Sequence, residues 1–262
     1  MISVLNTVVS IVTFAAIASS AAIPKVSPRA SSGSKRGLCY NDIGLVSLFK
    51  NAPISWTYDW GMQGIGSVDG FEYVPMCWGE KFFSGWANAA DKAIANGAQH
   101  LLAFNEPDIP SQANMSPAQA AAYYKQYMNP YAGKASLGAP AVTNSGSPGQ
   151  GLDWLAQFIK ACNGECHIDF FPIHWYDGTG NVNYFKSHME QAHQVAGEKP
   201  VWLTEFAMNG ASPDQQANFI NQVVPWLDAQ DWLSRYSYYG VFENMLVSGN
   251  ALSQIGQAYV SA

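Results

Sequence analysis

From residue 37 to the end of the chain, short apolar runs alternate with segments of helical period. The runs 37–40, 55–60, 72–77, 100–105, 135–141, 168–176, 200–206 and 236–242 have the length of buried strands and predict eight of them. Between them Leu152, Leu155, Phe158 and Ile159 fall on one stripe of a helix that ends on Gly164. The stretches SPAQ at 116–119 and SPDQ at 212–215 each supply a serine cap, a proline at the first helical position and a glutamine as capping-box partner. Further helices are expected at 45–50, 86–96, 183–196 and 251–260. Eight strands interleaved with helices over 37–262, with no repeat and no internal linker, predict a single-domain α/β fold, the compact (β/α)8 TIM barrel. A doubly wound open sheet is the other arrangement with this alternation. It needs a glycine fingerprint after the first strand, where CYNDIGLVS stands instead.

The first 36 residues follow neither period. An apolar run from Val8 to Ala18 followed by small residues reads as a secretory signal over 1–21. A membrane anchor is the rival reading, but the run falls short of the roughly 20 residues a span needs. Residues 22–36, rich in Ser, Pro and basic side chains, read as a propeptide or linker in which Lys35-Arg36 offers a dibasic processing site. These readings place the protein outside the cell or in its wall, clear of the membrane once the signal is removed.

Composition narrows the function. The first 36 residues hold four of the 13 basic residues and none of the 19 acids, which leaves nine against nineteen, a formal charge of −10, on the remainder. Such a surface repels phosphate backbones, so nucleic acid is excluded as a partner. Aromatic residues, at 13%, outnumber charged ones, at 12%, which puts rings at the surface, where they suit the faces of sugars. Cys162 and Cys166 flank a turn and predict a local disulfide, whereas Cys39 and Cys77 sit inside apolar runs as small hydrophobes. His188 and His193 are five residues apart and do not share a helix face, so the sequence calls for no metal and no cofactor.

In a barrel of this kind the chemistry gathers at the C-terminal ends of the strands. The fourth strand ends in LLAFNEPD and the seventh in VWLTEF, so Glu106 and Glu205 are expected to face one another across a bowl. Two carboxylates without a cofactor suit the cleavage of a glycosidic bond, one as acid and one as ionised nucleophile or base. Their spacing decides the stereochemistry: about 5 Å for retention and roughly 6.5–9.5 Å for inversion. His174, ending the sixth strand, is expected to touch substrate or hold Glu205. Trp60, Trp78, Trp175, Tyr176, Phe206 and Tyr239 are candidate sugar platforms, with Tyr58 among the binding residues. Asp59, Asp177 and Glu243 adjoin turn signals and are assigned to the turns.

The motifs KRGLCYND, SWTYDW, YVPMCWG, HLLAFNEPD, SLGAPAVTN, CHIDFFPIHWY, VWLTEFA and LSQIGQAYVS, in this order, resemble glycoside hydrolase family 128, β-1,3-glucanases built on a glycosyl-hydrolase catalytic-core barrel. The resemblance implies a retaining endo-β-1,3-glucanase with Glu106 as acid/base, Glu205 as nucleophile and Asn105 as a ligand of the sugar next to the nucleophile. The partner it implies is β-1,3-glucan, polymeric or oligomeric, met by a monomer. Apolar rings are expected to keep Glu106 protonated, and hydrogen bonds to keep Glu205 ionised. Three departures stand out: Asp59 where an asparagine is usual, Cys39 and Cys77 in place of apolar residues, and YSYYGVFENM without a tryptophan near Tyr239. The alternatives are a cell-wall glucan-binding protein that no longer cleaves, and a barrel glycosidase acting on another β-linked polysaccharide.

Overall fold

The computed structural model describes residues 33–262, so the signal at 1–21 and the linker up to residue 32 lie outside the described residues. The eight apolar runs become β1 (Arg36–Tyr40), β2 (Trp56–Tyr58), β3 (Phe71–Tyr73), β4 (His100–Leu101), β5 (Ser136–Leu137), β6 (Phe171–Asp177), β7 (Val201–Met208) and β8 (Leu233–Val241). Parallel ladders join β3, β2, β1, β8, β7 and β6 in that spatial order, and β4 with β5. Single parallel bridges complete the circuit: Met76 to Leu102 links the third position to the fourth, and Gly138 to Phe170 and Val142 to Ile173 link the fifth to the sixth. The ring of eight parallel positions is therefore closed, with continuous ladders on one side and short, bridge-linked strands on the other.

Around it lie α1 (Phe83–Ala95), α2 (Pro117–Tyr127), α3 (Gly151–Cys162), α4 (Val182–Ala196), α5 (Pro213–Asp228) and α6 (Gln254–Ser261). Both serine-proline starts form the expected capping boxes, Ser116 with Gln119 and Ser212 with Gln215. The segment 45–50 forms a 3₁₀ helix, Ile43–Phe49, and no helix follows β2. There the two-residue turn Asp69-Gly70, with φ of 49° and 88°, folds a short strand, Ser67–Val68, back on β3. An Asp-Gly pair with both φ positive is the sequence that such a hairpin favours. The end of α3 also differs by one residue: Asn163, at φ 49°, leaves the helix, and the Cys162–Cys166 disulfide closes the turn behind it.

Alternation along the strands sorts the core into two layers. Cys39, Trp56, Tyr58, Val74, Met76, Leu102, Phe170 and Trp202 fill the barrel, while Leu38, Leu101, Ile173, Leu203 and Phe206 face the helices. The pole at the N-terminal ends of the strands is sealed by charge: Glu72 meets His100 Nδ1 at 2.8 Å and Arg235 at 2.7 Å, and Arg235 lies 4.5 Å over the Trp202 ring. Burial alone would raise the Glu72 carboxyl, but His100 and Arg235 hold it down, to about 2.

Arg36, assigned above to the linker, belongs to the body. It is the first residue of β1, and its buried guanidinium donates to Tyr236 Oη at 2.8 Å and to the Tyr259 carbonyl at 2.9 Å. Cys39 and Cys77 are both buried and unpaired. No helix among the described residues is long and apolar enough to cross a membrane.

Candidate active site

The same alternation decides which residues reach the barrel mouth. On β6 and β7 the register pairs His174 with Glu205 and Trp175 with Phe206. His174, Tyr176 and Glu205 turn inward, and Trp175 and Phe206 turn out. Both of those rings are fully buried in the helix layer, Trp175 at 5.0 Å from Phe185 and Phe206 at 5.0 Å from Tyr238. They are therefore core residues and not sugar platforms, because neighbouring residues of a strand face opposite sides of the sheet. Tyr58 points inward but lies beneath the mouth, where its hydroxyl donates to the Thr204 carbonyl at 2.8 Å and tethers the strand that presents Glu205.

Glu106 sits where β4 runs out. Its N–H still donates to Ala141 at 2.7 Å, and its backbone then turns left-handed at φ 44° before Pro107. A non-glycine residue held there costs on the order of 1 kcal/mol or more. Trp60, at φ 55°, shares that conformation. The two strained residues serve one place: Glu106 and Glu205 bring oxygens within 4.8 Å of each other, and Trp60 Nε1 donates to Glu205 Oε1 at 2.6 Å. Tyr176 Oη donates to Glu205 Oε2 at 2.5 Å. Burial and the adjacent Glu205 push the Tyr176 phenol far above its ordinary value, so it stays protonated and donates to Glu205. Glu205 thus accepts from two neutral donors, one on each oxygen, which fix the orientation of its carboxyl group.

The neighbour of Glu106 is an imidazole, not the apolar rings expected. His174, fully buried, has Nδ1 2.7 Å from Glu106 Oε1 and Nε2 3.4 Å from Glu205 Oε1. The second contact lacks hydrogen-bond alignment and acts through charge. Burial would push the imidazolium down, but Glu205, and then Glu106 through its charge and hydrogen bond, hold it above its ordinary value. A buried cationic ring therefore stands between two buried carboxylates and shares its Nδ1 proton with Glu106. Glu106, His174 and Glu205 each offer a ligand atom within 4.8 Å of the others, a spacing that a cation would also accept.

A hollow of about 650 Å³ opens over the pair, walled by Tyr176, Tyr239, Thr143 and Gln150. Tyr239 stands edge-on to Tyr176 and Trp60, at 5.6 and 5.9 Å, so the mouth is aromatic on that side without a further tryptophan. Asn105 lies buried beside Glu106 with its Oδ1 unpartnered. Asp59 accepts from Tyr73 Oη at 2.5 Å and from the Gly61 N–H at 2.9 Å, bracing the turn that carries Trp60. The opposite wall, 143–151, carries no periodic signal and escapes sequence reasoning. Asp108 pins it, accepting from Thr143 Oγ1 at 2.5 Å and from the Gly151 N–H at 2.9 Å. Its position two residues after Glu106 is the only trace of that role in the sequence.

Residues 37–259 match the family model described as glycosyl hydrolase catalytic core. The fold is similar, with a TM-score of 0.82 and 47% identity over 87% of this chain and 98% of the other, to a GH128 (subgroup III) curdlan-specific exo-β-1,3-glucanase from Blastomyces gilchristii in complex with glucose. A GH128 (subgroup I) endo-β-1,3-glucanase from Amycolatopsis mediterranei in complex with laminaritriose is 30% identical, with a TM-score of 0.75 over 87% of this chain and 99% of the other. Alkali-sensitive linkage protein 1 of Schizosaccharomyces pombe is 32% identical over 252 residues, 87% of this chain, which spans 44% of that relative's length.

Proposed function

This chain belongs to the glycosyl hydrolase catalytic core family, and on that premise we propose that it hydrolyses β-1,3-glucan with retention, Glu205 acting as nucleophile and Glu106 as acid/base. The observation that carries the reading is that an oxygen of each carboxylate lies within 4.8 Å of one of the other, which fits the close spacing of a retaining pair better than the roughly 6.5–9.5 Å of an inverting one. Glu205, aimed by Trp60 and Tyr176, attacks the anomeric carbon as Glu106 protonates the departing glycosidic oxygen. Glu106 then takes a proton from the water that opens the glycosyl ester. Asn105 supplies an amide to the sugar held against Glu205, and Tyr239 a ring to the mouth. Paired, buried carboxylates in this register speak against a chain that only binds glucan.

Incubation with laminarin or curdlan tests the reading: reducing ends are expected to appear, and proton NMR of the first product should show the β anomer. An α anomer released first, or no release, would overturn it. Internal cleavage is the mode that the family resemblance implies. The 47% identity to an enzyme named as exo-acting favours a second reading, release from a chain end. A ladder of early products marks the first mode, and a single short product the second. The apolar run at 8–18 and the Cys162–Cys166 disulfide support a secreted protein acting on wall or extracellular glucan.

The His174 proton adds a pH prediction. The raised imidazolium keeps the shared proton until the pH climbs past its elevated value, so the alkaline limb of kcat belongs to the Glu106–His174 pair. His174→Asn removes one holder of that proton. The limb should move to lower pH and kcat should fall roughly 10- to 100-fold. A limb that stays in place would remove His174 from the protonation step.

A further inference from the structure

Beside the catalytic hollow lies a second one, of about 440 Å³, between the loop that follows β5 and helix α4. The two meet at Asn144, Ser145 and Gln150, which line both. On the far side stand Tyr184, His188 and Gln191, spaced i, i+4, i+7 on one face of α4. Tyr184 is 38% exposed, although most aromatic rings in this chain are packed away. Its hydroxyl donates to the Asn144 carbonyl at 3.0 Å, so the ring is held in place while part of it stays open.

The chemistry of the walls selects the ligand. Among the described residues no lysine or arginine lines the hollow, and the carboxylate of Asp153 accepts the Gly149 N–H at 2.7 Å. Burial pushes His188 down to about 4, so its ring is neutral under ordinary conditions. An anion would find no counter-charge there, and an apolar ligand would strand the hydroxyls and amides of the rim. A phenol ring bordered by amides and hydroxyls suits a neutral sugar.

The shared wall also has a fixed position relative to the reacting centre. Asn144 Oδ1 accepts from the Tyr176 N–H at 3.0 Å and its Nδ2 donates to the Tyr176 carbonyl at 3.0 Å, and Tyr176 holds Glu205. A sugar in the second hollow therefore lies in constant register with the nucleophile. We propose that this hollow is a distal glucosyl subsite: a β-1,3-glucan chain lying over Glu205 crosses the rim at Asn144, Ser145 and Gln150 and sets a further sugar against Tyr184 and Gln191. The inference rests on the β-1,3-glucanase reading above and adds the direction in which the polymer leaves the cleft.

Two variants test it. Gln191→Trp fills the hollow from an exposed position on α4, and Tyr184→Ala removes the ring. In each, the ratio of kcat/KM for laminarihexaose to that for laminaritriose should fall about tenfold relative to the unaltered chain. A ratio unchanged in both, with laminaritriose still cleaved, would overturn the subsite and leave the hydrolase reading standing. Failure of the unaltered chain to cleave either oligosaccharide would overturn the hydrolase reading instead. Calorimetric titration of laminarihexaose into Glu205→Gln, with and without Gln191→Trp, reads the subsite without turnover: about tenfold weaker binding in the double variant supports it, and equal affinities overturn it.

Discussion

Glu205→Gln is expected to lower kcat on β-1,3-glucan by at least roughly 10⁴-fold, a loss typical of removing a covalent nucleophile, with the fold and oligosaccharide binding intact. The amide has the shape of the carboxylate and fits between the same two partners. Trp60 Nε1 can only donate, so the amide oxygen must face it; Tyr176 Oη can reverse its role and accept from the amide nitrogen. The site therefore stays satisfied while its negative charge and its nucleophile are gone. Circular dichroism and calorimetry with laminarihexaose check the fold and the binding, and a reducing-end assay checks turnover. Activity within about tenfold of the unaltered enzyme would take Glu205 out of the nucleophile role. His174 sharpens the contrast, because losing the charge at position 205 withdraws the first of the influences that hold its imidazolium up. The variant should therefore release a proton from His174 at lower pH, visible by NMR titration of that ring.

The site was legible in the sequence wherever a strand's period runs through it. Glu106 and Glu205 could be placed because each follows an apolar run long enough to be a strand, and a closed barrel brings the ends of all its strands to one mouth. That period also separates Tyr176 from Trp175 and Glu205 from Phe206, so the aromatic pair now found in the helix layer could have been excluded by counting residues along the strand from Glu205. Compositional reasoning about rings had no sense of direction. What the sequence withheld lies off the strands. The wall at 143–151 takes its shape from a buried carboxylate, Asp108, that reaches it from another loop, and no local pattern records a bond across 35 or 43 residues. Left-handed backbone at Trp60 and Glu106 is equally silent, since neither residue type favours it. His174 was placed near the right residues, but its bond to Glu106 depends on which side of the bowl β4 occupies relative to β6.

Replacement of the other carboxylate should separate the two halves of the reaction. Glu106→Ala is expected to lower kcat on laminarin by roughly 10³-fold, within the range that general acid catalysis supplies. On a β-1,3-linked disaccharide bearing a dinitrophenolate leaving group, formation of the glycosyl ester should be nearly unaffected, because that leaving group departs without a proton. Breakdown of the ester should then limit the rate, since water has lost its base, and a burst of phenolate should precede slow turnover. Azide needs no base, and the space vacated by the carboxylate lies on the face from which the ester is opened. Added azide should therefore restore turnover and yield the β-glycosyl azide, identified by NMR. Equal losses on the two substrates, with no azide product, would mean that Glu106 orients groups without moving the proton. The proton would then have to come from His174, whose Nδ1 is the nearest charged donor at 2.7 Å from the carboxylate being removed.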